Sequence, residues 1–212
     1  MSVYCSAWTS LISLRFMPPG IPHEVLTTDD SVTVGGHFLV PELLVDTVAA
    51  SLKVGTFRPW ANAPINASHN SATRCMVDRA FVAALKPAED ELWELQRTGK
   101  CLVDDEICPI KPLLVSFKFI NLAMAVLLGN LAFTQKHDDM SDCMHHEYDQ
   151  HGATLKWLGL LLMWCQLKGE RTFIEELEEK ALSTLKLAAP DHDDRRKYAI
   201  LEVLEFMEYW TT

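Results

Sequence analysis

The chain has 212 residues, 49% of them apolar, which is enough for a sizeable core and excludes a disordered or collagen-like chain. The formal net charge is −10, from 19 Lys+Arg against 29 Asp+Glu, and an acidic surface of this kind repels a phosphate backbone and argues against broad nucleic-acid binding. The six cysteines form no CxxC pair, so they read as reduced, mostly buried thiols of a cytoplasmic or nuclear protein, not as a disulfide scaffold.

The N-terminal MSVYCSAWTSLISLRF lacks the basic start of a signal peptide, and the Asn66-Ala67-Ser68 acceptor sequence carries little weight without one. Residues 3–16 alternate as a strand does. Pro18, Pro19 and Pro22 then break any regular element. HEVLTT and SVTV around Asp29-Asp30, followed by HFLV after Gly35-Gly36, predict a hairpin over 24–40. Pro41 suits the first turn of a helix over 42–53, with Leu43, Leu44, Val48 and Leu52 on one stripe and Gly55 as a left-handed terminator. Residues 56–73, rich in Pro, Asn, Ser and Ala, read as a long loop between two parts of the chain.

Helices are expected over 74–85, with Met76, Phe81, Val82 and Leu85 inward, and over 88–97, with Pro87 between them and Gly99 as the stop. Residues 113–133 are almost uninterruptedly apolar. Lys118, Asn121 and Asn130 fall inside this stretch, and a central lysine costs a few kcal/mol in a bilayer, so the stretch predicts a buried core helix and no membrane span. Residues 153–167 predict a second central helix. Residues 170–187 form an amphipathic one, with Phe173, Ile174, Leu177, Leu182 and Leu185 buried. A last helix covers 193–210, with Asp191 as its N-cap and the basic run Arg195-Arg196-Lys197 as a solvated face. The fold class expected from this order is α+β: a small N-terminal β-hairpin unit with one helix (1–55), a linker (56–73), and a bundle of about five helices (74–212), the whole also compatible with one continuous domain.

The densest chemistry lies between the two central apolar segments, in KHDDMSDCMHHEYDQH at 136–151. Zinc takes N and S ligands, and Cys143 and His146 have i, i+3 helical spacing. His145, His151, His137 and the more distant Cys108 are the further candidates. Asp138, Asp139 and Asp142 form a string that resembles the DDxxD motif of class I prenyl and terpene enzymes, over five residues only. That resemblance implies a magnesium site for a diphosphate, although no second motif of that family follows. His137-Asp138 also forms an HD pair, for which His69 and Asp191 or Asp193 are formally available partners. The plain alternative is a polar, solvent-exposed connection whose histidines titrate near neutrality. There is no GxSxG, P-loop or GxGxxG sequence, and Cys143 beside His145 and His146 is a poor triad because sequence neighbours seldom have that geometry.

Six tryptophans exceed the needs of a minimal core. Trp157 and Trp164 share one helix face, while Trp60 and Trp210 are the expected exposed anchors for a partner. The functional expectation is therefore a non-enzymatic protein-binding accessory, regulatory or assembly protein, in the manner of a virus-encoded factor that acts on host or viral proteins. It would bind partner proteins or further copies of itself. A Zn- or Mg-dependent hydrolase or lyase centred on 137–151 is the alternative.

Overall fold

The structure is a computed structural model that describes residues 40–56, 65–101, 108–133, 143–189 and 193–212, with side chains described at all of these except 54–55, 65–71 and 143–150. The described residues are 88% helical and contain no strand or sheet. The α+β expectation is thereby corrected: what the described chain builds is a helical bundle of about eight helices, with no β-hairpin. The strand at 3–16 and the hairpin at 24–40 fall on residues outside the described ones, except Val40, which is the extended residue before the first helical turn.

Pro41 opens a 3₁₀ turn, Pro41–Leu43, that runs into α1 (Leu44–Gly55). Leu44, Val48 and Leu52 are fully buried, as their spacing requires. Gly55 is still helical, and Thr56 closes the helix in a right-handed conformation, so the left-handed glycine stop expected there is not used. α2 (Ile65–Leu85) begins well inside the expected linker. Its buried stripe is Val77, Phe81 and Leu85, while Val82, expected inward, is 39% exposed. Pro87 sits in a 3₁₀ turn, Lys86–Ala88, which hands the chain to α3 (Glu89–Thr98). Gly99 stops α3 at φ +69°, a conformation that favours glycine.

The apolar stretch at 113–133 is not one rod. It divides into α4 (Lys111–Leu114), α5 (Phe117–Leu127) and α6 (Gly129–Phe133), with an extended Ser116 between the first two and Leu128 as the bend between the last two. Its polar residues each find a separate solution. Lys118 reaches solvent and pairs with Glu42 at 2.7 Å, Asn130 is exposed, and Asn121 is fully buried. Among the described residues no helix is long and apolar enough to cross a membrane.

α5 is the hub. Every residue from Phe119 to Leu127 is buried, as a helix enclosed on all sides demands, and α1, α2, α7 and α8 pack around it. Phe119 stacks on Phe81 of α2 (5.4 Å between centroids) and on Phe173 of α8 (6.1 Å), joining three helices through one aromatic column. α7 (Cys143–Lys168) ends at Gly169, φ +74°, where Glu170 N–H reaches back to Cys165 O and Gly169 N–H to Gln166 O in a Schellman pattern. α8 (Arg171–Ala188) buries Phe173, Leu177, Ala181 and Leu185. α9 (Asp194–Thr211) is capped by Asp193, whose carboxylate accepts from Arg195 N–H at 3.0 Å. The cap is thus two residues later than expected. α9 lies on α7 and α8, and the Trp210 indole rests directly on Gly159, where a Cβ would lie 2.1 Å from the ring.

Candidate functional site

Two long helices, α2 and α7, carry the most unusual chemistry. Along α7 the inward positions are His151, Thr154, Leu158, Leu161, Leu162 and Cys165, a regular helical stripe with a histidine at one end. Along α2 the inward stripe includes Arg74 and Asp78 beside Val77 and Phe81. The two stripes meet at His151 and Asp78, both 2% exposed, with the His151 Nδ1–H set between the two carboxylate oxygens at 2.9 and 3.1 Å. A buried carboxylate is tolerable only with such a partner. The imidazole fits because α6 starts with Gly129, at which a Cβ would lie 2.6 Å from Cε1 and 3.1 Å from Nε2.

An Asp–His pair is the orienting half of a hydrolytic triad. Here His151 Nε2 faces the Gly129 notch, and among the described residues it meets no hydrogen-bond partner and no hydroxyl or thiol placed for activation. The pair acts as a polar clasp between α2, α6 and α7. A second clasp joins α3 to α7, where the buried Trp164 Nε1–H donates to the buried Glu91 carboxylate at 3.0 Å. A third joins α5 to α8 and to the first turn: Asn121 donates to Pro41 O at 2.9 Å and accepts from Lys180 Nζ at 2.8 Å, while that ammonium also lies 4.1 Å over the Phe117 ring. Burial lowers the pKa of Lys180. The buried Cys165 thiol is pushed well up by burial first and by Glu170 and Cys108 next, which keeps it protonated and unreactive.

On the outer side of the same helix pair lies an open groove of about 550 Å³, lined by Arg79, Val82, Ala83 and Lys86 of α2 and the following turn, and by Ala153, Thr154 and Trp157 of α7. Trp93 of α3, half exposed, meets Trp157 edge-on at 5.3 Å. Arg79 makes no ion pair among the described residues, and Lys86 pairs with Glu89.

The residues singled out in the sequence are distributed as follows. Cys143, His145 and His146 lie on the first turns of α7, with side chains outside those described. His137, Asp138, Asp139, Asp142 and Trp60 are outside the described residues altogether. His151 turns into the core and takes Asp78 as the partner of its Nδ1. Among the described residues no group of three or more His, Cys, Asp or Glu is placed to hold a metal ion, so the described part of the chain gives the expected zinc no support. Trp210 is partly buried on Gly159, and Trp164 is fully buried. Asp78, Glu91 and Trp93 are the residues that sequence reasoning missed. The signal for Asp78 was a carboxylate on the apolar stripe of α2, three residues before Phe81. No family model, curated protein or solved structure matches this chain.

Proposed function

We propose that this chain is a non-enzymatic protein-binding module, an accessory or assembly factor, and that its binding face is the groove between α2 and α7 together with the Trp93–Trp157 pair. The observation that carries the reading is Trp93: a large aromatic ring, 50% exposed, held edge-on against Trp157 at the border of an apolar groove. Tryptophan fixed in this way presents wide apolar area at little entropic cost, which is the character of an interface anchor. The clasps behind the groove support the same reading. His151–Asp78 and Trp164–Glu91 hold α7 against α2 and α3 from the buried side, so the groove walls are set before a partner arrives.

The test is site-specific photo-crosslinking in the cells that make the protein. Val82, in the groove, is replaced by benzoylphenylalanine, and Glu179, exposed on α8, which contributes no residue to the groove, serves as the control position. Adducts with a discrete protein at position 82 and none at 179 are expected. Equal or absent adducts at both positions contradict the reading.

A further inference from the structure

The groove has a charge character opposite to that of the protein that carries it. The chain has a formal net charge of −10, yet the two charged side chains lining the groove, Arg79 and Lys86, are both basic. They stand seven residues apart along α2 and the turn that follows, so their Cα atoms are separated along the axis by about 10.5 Å, two helical turns. The rest of the lining is Val82, Ala83, Ala153 and Trp157, with Thr154 the one uncharged polar residue among them. No strand edge exists among the described residues to accept an extended peptide. A trough between two helices, largely apolar along its floor and basic at two points about two helical turns apart, matches an amphipathic helix laid into it.

We propose that the partner segment is an acidic amphipathic helix: an apolar stripe at i, i+3, i+4 and i+7 that fills the trough, flanked by carboxylates about two turns apart that meet Arg79 and Lys86. This assignment rests on the binding reading above and gives it a ligand chemistry. The Arg79 guanidinium offers a planar fork to one carboxylate. Lys86 is held by the exposed Glu89, a surface pair worth little and easily exchanged for a partner's carboxylate. The acidic remainder of the surface turns away acidic segments that miss the groove, so selection comes from position as well as attraction.

The experiment uses the full chain and two fluorescein-labelled, lactam-stapled helical peptides. They share one Leu/Trp stripe, and one has Glu and the other Lys on the flanking positions. Binding is read by fluorescence anisotropy at low and moderate salt. A net charge of −10 alone favours the Lys peptide, so the expected result, at least about tenfold tighter binding of the Glu peptide, is a stringent one. The Arg79→Glu/Lys86→Glu variant, altered only at surface positions, is expected to reverse that preference while keeping its helical circular dichroism. Equal affinities, a preference for the Lys peptide, or a preference unchanged in the variant overturns the inference. So does a dimer of the chain itself that Val82→Glu dissolves, since the groove would then belong to a second copy. Protein adducts at Val82 combined with no charge preference would sink the acidic helix alone and leave the binding module standing. Absence of adducts at Val82 would remove the module itself.

Discussion

The His151 imidazole occupies the space that a side chain at Gly129 would need: a Cβ there would stand 2.6 Å from its Cε1. The ring cannot swing aside, because its Nδ1–H is held by both oxygens of Asp78. Gly129→Ala is therefore expected to cost about 1–3 kcal/mol through overpacking. Gly152, one residue after His151 and on the outer side of the same helix, has open space at its Cβ position. Gly152→Ala is expected to be neutral or to stabilise by roughly 0.5–1 kcal/mol. Urea unfolding of the two variants beside the parent checks both signs, and a cost for Gly152→Ala equal to that for Gly129→Ala would contradict this packing.

The same pair predicts strong non-additivity. His151→Leu leaves the Asp78 carboxylate buried without its donor and is expected to cost about 3–5 kcal/mol. Adding Asp78→Leu removes the stranded charge, and the double variant is expected to recover at least half of that loss. A double-mutant cycle by chemical denaturation measures the coupling. Additive losses would show that the two side chains do not stabilise one another.

Cys165 gives a pH dependence of known sign. Burial raises its native pKa above the ordinary thiol value of 9.0, so the unfolded chain releases this proton at a lower pH than the folded one. The stability it lends is whole below 9.0 and is lost as pH rises from there toward the native value, at up to about 1.4 kcal/mol per pH unit. Unfolding free energies between pH 8 and 10.5, compared with those of Cys165→Ala, are expected to fall more steeply in the parent. Parallel slopes would mean that the thiol ionises as readily in the folded chain as in the unfolded one.

Much of the helical framework was legible in the sequence where an amphipathic stripe met a clear stop. α3, α8 and α9 begin and end within one residue of the expected positions, because Pro87, Gly99 and Pro190 punctuate them and their apolar residues recur at helical spacing. α2 was legible only in its second half. INASHNSA, its first two turns, has Asn or Ser at four of eight positions, residues that favour caps and turns, and the helix runs through them regardless. The breaks at Ser116 and Leu128 left no trace, since a stretch that is apolar on every side has no period to interrupt. Of the stripe expected on α2, Phe81 and Leu85 face the core, whereas Val77 takes the place of Met76 and Val82 faces the groove, because the expected set spans more than one helix face. The site was the least legible part. His151 and Asp78 are 73 residues apart, and the local density of ligand-like residues at 136–151 drew attention to metal chemistry, whereas the one histidine of that run whose side chain is described serves packing. Nothing in the sequence separates Trp93 from its apolar neighbours Leu92 and Leu95, yet those two turn inward and leave it on the opposite side of a ten-residue helix.

The claim that the rest depends on is that Trp93 is exposed for a partner and not for the fold. Trp93→Ala, measured by thermal unfolding and by crosslinking yield from position 82 in the same preparation, tests it directly. The account predicts a stability change of no more than about 1 kcal/mol together with a loss of about tenfold or more in partner adducts, the scale of a hot-spot truncation. A variant that keeps its full adduct yield, or one that loses several kcal/mol of stability, would contradict it.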